Sequence, residues 1–286
     1  MSENIIISTD STADLSKELI ERYNIKVNSL GITLGTTTYK DGVDIDADKI
    51  YEHHAKTGEL PKTTATNVGE YLSFFEELTK DGASVIHFSL SSEMSSTYNN
   101  ALLAAADFEN VYIVDTRNLS TGSGLLVLAA ADMKEQKLSA KEIADKVSEM
   151  VPNVEASFVI DSLEYLYKGG RCSALSVLGA NLLKLKPCIE VKNGAMGVGK
   201  KYRGKYADVL KEYINERLQN TDDIVKDRVF ITHAGCDGEI VKELVETVNK
   251  KGIFDEVLLT RAGSTISSHC GKNTLGILFV RKSPIA

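Results

Sequence analysis

The sequence predicts an α/β protein of two lobes, the first built on a mostly parallel sheet with flanking helices and the second on a mixed sheet. Three observations carry this expectation. A β-branched run, a hydroxyl-rich loop and an apolar helix follow one another three times in the first half of the chain. A capped helix at mid-chain ends at the breaker Pro152-Asn153. The length of 286 residues exceeds the roughly 250 at which single cores stop growing. The lobes are therefore placed at 1–153 and 154–286.

Ile5 to Ile7 opens the first unit, stops at Ser8, Thr9, Asp10, Ser11 and Thr12, and gives way to Leu15, Leu19 and Ile20 at helical spacing. Val85 to Phe88 opens the second, with Ser89, Ser91, Ser92, Ser95, Ser96 and Thr97 leading to a helix carrying Ala101, Leu102 and Ala105. Val111 to Val114 opens the third, with Thr116, Ser120 and Thr121 before the apolar helix Leu125 to Met133. Three such units in succession predict parallel strands joined by right-handed crossovers. Ser139 with Glu142 is a capping box for a helix ending near Val151.

Beyond the breaker, Phe158 to Ile160 reads as a strand, Leu163 to Lys168 as a short helix stopped by Gly169-Gly170, and Leu175 to Leu183 as another helix. Further strands are expected at Cys188 to Val191, Val229 to Thr232, Val257 to Thr260 and Ile277 to Val280. Helices near Tyr206 to Leu218 and Ile240 to Val248 are expected to cover one face of that second sheet.

The composition, 43% hydrophobic and 26% charged, is that of a packed globular chain. A net charge of −7 disfavours nucleic acid as a partner, since phosphate neutralisation needs a basic face. Cys172, Cys188, Cys236 and Cys270 lie far apart with no CxxC pair, which predicts reduced thiols rather than a metal site. The N-terminus carries no basic region followed by an apolar stretch, and the longest apolar run, Leu125 to Ala131, is far shorter than the ~20 residues of a membrane span. A cytoplasmic location is expected.

Ligands of open α/β sheets sit beyond the carboxyl ends of the strands, where helix N-termini present unpaired N–H groups. All three hydroxyl clusters fall there, and short hydroxyls beside free N–H groups suit a small anionic headgroup. Each cluster taken singly is equally a set of good N-caps. The chain has no GxxxxGK[ST] loop, no GxGxxG after a strand and no GxSxG elbow. Arg171, after Gly169 and Gly170, and His269, in a polar loop before the last strand, are the candidate charged and titratable partners of such a headgroup.

Eight stretches stand in the order seen in one family. They are Asp10-Ser-Thr-Ala-Asp-Leu, Lys40-Asp-Gly-Val-Asp-Ile, Pro61-Lys-Thr-Thr, Ser91-Ser-Glu-Met-Ser-Ser-Thr-Tyr98, Val114-Asp-Thr, Leu163-Glu-Tyr-Leu-Tyr-Lys-Gly-Gly-Arg171, Leu182-Leu-Lys-Leu-Lys-Pro187 and the stretch around His269. The chain thus resembles the DegV family over nearly its whole length. It departs from the family pattern at Ala65 and Thr66, where Gln and Pro are common, at Ser96, where Gly is usual, and at Lys272-Asn273, where Pro and Gly are frequent.

The resemblance implies a two-lobed DegV-like fold that buries one long-chain fatty acid, with no other cofactor and no metal. It is similar to the fatty-acid-binding subunit of a bacterial fatty acid kinase, a lipid-binding protein and not itself an enzyme. A separate ATP-binding subunit of that kinase turns the bound acid into an acyl phosphate. Carried over by motif, Thr63, Thr64 and Ser95 are expected to hold the carboxylate, with Arg171 and His269 at the headgroup; Ser11 and Ser120, in the neighbouring hydroxyl loops, are expected to bind the ligand with them. The tail supplies the affinity, up to about 12 kcal/mol for a chain of about sixteen carbons before ordering costs. Leu125, Leu126, Leu128 and Ala129, and Leu178, Leu182, Leu183 and Leu185, are candidate tunnel walls. Transient contact with a membrane surface is compatible with such a ligand. Two other readings stay open: an acyl hydrolase using Ser95 and His269, and a carrier of a small phosphorylated metabolite.

Overall fold

The computed structural model describes residues 3–172 and 185–285. The chain runs through β1 (Ile5–Asp10), α1 (Lys17–Arg22), β2 (Lys26–Asn28), β3 (Gly31–Leu34), β4 (Thr37–Lys40), α2 (Ala47–Thr57), β5 (Lys62–Thr64) and α3 (Val68–Thr79). It continues through β6 (Ser84–Ser89), α4 (Thr97–Ala105), β7 (Val111–Asp115), α5 (Thr121–Glu135) and α6 (Ala140–Met150). After Asn153 come β8 (Val154–Ile160), α7 (Glu164–Gly169), β9 (Lys186–Lys192), β10 (Ala195–Tyr202), α8 (Tyr206–Arg217) and β11 (Ile224–Ala234). The last elements are α9 (Gly238–Lys251), β12 (Glu256–Arg261), α10 (Ser264–Cys270) and β13 (Thr274–Arg281).

The α/β architecture read from the sequence is the one observed. The first sheet, in the order β2-β1-β6-β7, is parallel throughout. The second, β10-β9-β8-β13-β11-β12, is mixed: β11 and β12 run parallel and the other pairs antiparallel. All its strands come after Asn153. The helix expected at Leu175 to Leu183 lies outside the described residues.

A third, antiparallel sheet, β4-β3-β5, is absent from the sequence reading. Its strands are three or four residues long and rich in Thr, with little alternation to mark them. Their hairpin turns on Gly35, whose φ of +58° suits a residue without a Cβ. This sheet carries Thr63 and Thr64 on β5, paired to Ile32 and Gly31 of β3.

Helix α5 is apolar on every side because it lies between the two large sheets. Leu125, Leu126, Val127 and Leu128 are at most 2% exposed, and pack with Ile7, Ile86 and Phe88 of the first sheet and Ala156, Phe230 and Leu278 of the second. Gly124 lets the helix pass close to the β1 loop, since a Cβ there would stand 2.9 Å from Leu15 and 3.1 Å from the Ala13 carbonyl oxygen. On the far face of the second sheet, Val209, Leu210 and Tyr213 of α8 and Val241 and Leu244 of α9 pack against Ile231, Ile277 and Phe279. This is the covering layer that the helical periodicity predicts.

Candidate functional site

The segments that follow β2, β6 and β7 meet the small sheet and α10 around a cleft of about 370 Å³, near the lower end of the ~300–1,000 Å³ of ligand sites. Thr63, Thr64, Ser95, Arg171 and His269 all line it, although they lie as far apart in sequence as β5, the β6–α4 loop, the end of α7 and α10. The same cleft is lined by Leu30, Leu90, Met94, Leu119, Met196 and Ile266. One cleft thus presents hydroxyls and a guanidinium together with a hydrocarbon wall.

Local sequence explains the polar side. Gly169 and Gly170 end α7, and Gly170, at φ +70°, turns the chain so that Arg171 arrives at the rim. Its guanidinium donates to the Gly169 carbonyl at 2.7 Å and is otherwise exposed. Gly169 serves a second purpose, because a Cβ at that position would lie 2.6 Å from Nδ1 of His269. Ser95 precedes α4; its Oγ accepts from the Thr97 N–H (3.2 Å) and bonds the Thr97 hydroxyl (2.6 Å).

The sequence reading puts His269 in a loop; it stands instead in the last turn of α10. The helix escapes a local reading because its capping groups come from far along the chain. Asp41 accepts from the N–H groups of Ser264 (2.8 Å) and Thr265 (3.2 Å), and Asp14 from the N–H of Gly263 (2.8 Å). His269 Nε2 bonds the Thr63 hydroxyl at 2.8 Å, and buried Nδ1 has no partner among the described residues. Burial, and after it the charge of Arg171, push the imidazole down to about 4, so it is neutral at neutral pH. A carboxylate seated beside it would favour the imidazolium. His269 is therefore expected to titrate near 4 in the empty protein and measurably higher with an acid bound. Histidine NMR titrations of the two states test this; an unchanged midpoint would place the ligand charge elsewhere.

Two of the named hydroxyls are not in the cleft. Ser11 Oγ donates to Asp41 (3.0 Å) and accepts from the Leu30 N–H (3.2 Å), tying β1 to the small sheet. Ser120, at φ +51°, donates to Asp14 at 2.5 Å and faces a smaller cavity behind the cleft. Asp14 itself, held up at about 8 by burial against the Ser120 and Gly263 bonds, is mostly protonated at neutral pH. The proposed tunnel walls Leu125, Leu126 and Leu128 belong to the core between the sheets rather than to the cleft. Leu178, Leu182 and Leu183 lie outside the described residues.

Ser95 and His269 share the cleft, yet their hydrogen bonds go to Thr97 and Thr63, not to each other. A nucleophile–base pair is thus not assembled there. The row Ser8 Oγ, His87 and Asp10, joined at 3.0 and 3.2 Å, does resemble a catalytic triad. All three are at most 1% exposed and none lines a described cavity, so they form a structural network. Among the described residues no group of three or more His, Cys, Asp or Glu side chains could hold a metal ion, and no helix is long and apolar enough to cross a membrane.

Two family departures have structural accounts. Asn273, where glycine is frequent, adopts φ +59°, a left-handed backbone that Asn tolerates better than most residues. Thr66 accepts from Asn28 Nδ2 through its hydroxyl (3.2 Å) and from Asn100 Nδ2 through its carbonyl (2.8 Å), joining the β5 end to α4. Met196, Ile266 and Cys270 also line the cleft and were not legible as site residues: Met196 sits in a hairpin strand and the others in the unread α10.

The model of the DegV family, described as an uncharacterised protein of that family, matches residues 4–282. A DegV domain-containing protein of Caldanaerobacter subterraneus is 32% identical over 98% of this chain and all of its own length. Among solved structures, a DegV family protein from Thermus thermophilus described for fatty acid binding aligns with a TM-score of 0.90 at 26% identity, over 97% of this chain and 99% of its own. DegV of Bacillus subtilis, described as a fatty acid binding protein, aligns with a TM-score of 0.85 at 30% identity, over 98% of this chain and all of its own.

Proposed function

This chain belongs to the DegV family, and from that premise we propose that it binds a long-chain fatty acid and presents the carboxylate to a separate ATP-dependent kinase subunit for acyl phosphate formation. The observation that carries the first half is the cleft itself. Thr63, Thr64, Ser95 and Arg171 line it together with Leu30, Leu90, Leu119 and Ile266, which gives an acid head polar neighbours and its tail an apolar route inward. The fatty-acid-binding neighbours in Thermus thermophilus and Bacillus subtilis support the same ligand. The apolar wall disfavours a small phosphorylated metabolite, whose hydration that wall would not replace.

The kinase half rests on the resemblance and on two features of the chain. No phosphate-cradling loop motif is present in the sequence, so the phosphoryl group would come from another polypeptide. Arg171 stands exposed at the cleft, within reach of both the acid head and an incoming partner.

Solvent extraction of the purified protein followed by mass spectrometry tests the ligand, and is expected to return a fatty acid in near-stoichiometric amount; an empty extract argues against the reading. Arg171→Ala is expected to retain that acid, because the tail dominates affinity, while phosphorylation by the kinase subunit with labelled ATP falls by more than tenfold. Loss of the lipid in this variant would overturn that division of labour.

A further inference from the structure

The segments that wall the cleft on one side also line an outer groove of about 420 Å³. Leu90, Leu119 and Met196 belong to the cleft, while their near neighbours in the chain, Asn118 and Gly194, belong to the groove together with Tyr98. Ile113, Val151 and Val154 give the groove apolar surface of its own. The loops after β6 and β7 are joined to each other in this wall by the Ser91 N–H, which donates to the Asn118 carbonyl at 3.0 Å. The remaining segment, the β9–β10 hairpin, reaches the wall from the second sheet.

That hairpin is built as a strap with a hinge and a fastened tip. It turns on Asn193 (φ +51°) and Gly194 (φ +83°), the two-residue turn in which both backbones are left-handed. Its strand β10 is the edge of the second sheet, paired to β9 alone, and the pairing slips between Val198 and Lys201, beside Gly197 and Gly199. An irregularity flanked by glycines lets a strand bend there. The tip is fastened from the other side. Ser91 Oγ donates to the Gly194 carbonyl at 2.6 Å, and the Arg117 guanidinium donates to the Asn193 carbonyl. Arg117 is aimed by Ser92 Oγ (3.3 Å) and Glu93 (3.1 Å), and holds a left-handed backbone, φ +48°, that is unfavourable for a residue with a long side chain. The fit is close: a Cβ at position 194 would stand 2.7 Å from Arg117 Nε and 2.8 Å from Ser91 Oγ.

Resting on the fatty-acid reading, we propose that the β9–β10 hairpin is a gate between the cleft and the outer groove, held shut by the clasp of Ser91 and Arg117 on its tip. When the tip is released, the strap turns about Gly197 and Gly199 and carries Met196 out of the wall, and the acid enters or leaves along the groove. Neither Ser91 nor Arg117 lines the cleft, so the clasp bonds join protein to protein and are worth the same in the empty and the loaded molecule. Weakening them raises the open population equally in both states, which quickens entry and exit together and leaves affinity where it was.

Stopped-flow mixing of a fluorescent fatty acid with the delipidated protein measures the association rate, and a chase with excess palmitic acid measures the dissociation rate. In Ser91→Ala and in Arg117→Ala both rates are expected to rise by roughly fivefold, the worth of one such bond, while their ratio stays within about twofold of wild type. Gly197→Ala is expected to act in the opposite direction. A Cβ there meets nothing within 4 Å, so alanine fits, stiffens the hinge and slows both rates by roughly threefold. Thermal unfolding verifies that each variant is folded. Should Arg117→Ala fail to fold, Ser91→Ala and Gly197→Ala decide. Faster release without faster entry means that the clasp only supports the loop carrying Ser95, and it overturns the gate, as do unchanged rates in folded variants; in either case the fatty-acid reading stands. Absence of acid binding in the wild type overturns both.

Discussion

Replacing Asp10 by alanine is expected to lower stability by about 3–5 kcal/mol, a large share of the ~5–15 kcal/mol that holds a domain together. The carboxylate is 1% exposed and accepts four hydrogen bonds. Oδ1 takes the Tyr71 hydroxyl (2.5 Å) and His87 Nε2 (3.2 Å), and Oδ2 takes the Ser89 hydroxyl (2.8 Å) and the Leu90 N–H (3.0 Å). Alanine leaves these donors in a dry interior, where each orphaned group costs about 1–3 kcal/mol. Asparagine keeps the shape but turns an NH₂ toward groups that themselves donate, so its loss should be intermediate. Urea unfolding monitored by circular dichroism gives the numbers. A loss below about 1 kcal/mol for Asp10→Ala would mean that water enters and satisfies the donors. The consequence reaches the cleft, since Leu90 lines it and the same loop carries Ser95.

The parts of this protein that local chemistry specifies were legible in the sequence, and the parts specified by distant contacts were not. Ser139 and Glu142 form the reciprocal capping box that their spacing predicts. The strands at Val85 and Val111 are largely apolar without alternation because their sheet is covered on both faces, by Tyr71 and Phe75 on one side and α5 on the other. The hydroxyl loop ending in Ser95 and the Gly-Gly turn before Arg171 were legible because turn and cap chemistry leaves its mark in adjacent residues. Helix α10 left no such mark. Ser264-Thr-Ile-Ser-Ser-His has modest helix propensity, and its caps, Asp14 and Asp41, lie more than two hundred residues earlier. Ser11 misled for the converse reason: a hydroxyl in the right kind of loop was already bonded to Asp41 and to the Leu30 N–H. The Leu125 stripe misled because an all-apolar helix fits a ligand wall and a buried layer equally, and only the second sheet decides.

Asp41→Ala should damage stability and binding together, and this coupling separates it from an ordinary core defect. The carboxylate is 2% exposed and accepts from Ser264 N (2.8 Å), Thr265 N (3.2 Å), the Thr265 hydroxyl (2.7 Å) and the Ser11 hydroxyl (3.0 Å). It is an N-cap supplied from another part of the chain to a helix of seven residues. A helix that short is not stable by propensity, so the cap decides where it starts. Losing an ordinary cap costs about 1 kcal/mol and up to about 2; orphaning the second N–H and the two hydroxyls brings the expected loss to about 2–4 kcal/mol. Thr265, Ile266, His269 and Cys270 all line the cleft from α10, so a shift of its first turn displaces them as one body. Acid affinity should therefore fall at least roughly tenfold, equivalent to about 1.4 kcal/mol. Asp41→Asn, which keeps an acceptor for the Ser264 N–H, should recover part of both losses. Calorimetric unfolding and palmitate displacement on the two variants provide the comparison. If Asp41→Ala is destabilised while its palmitate affinity stays within about twofold of wild type, α10 is held in place by packing alone. The buried carboxylate would then matter to folding and not to the site.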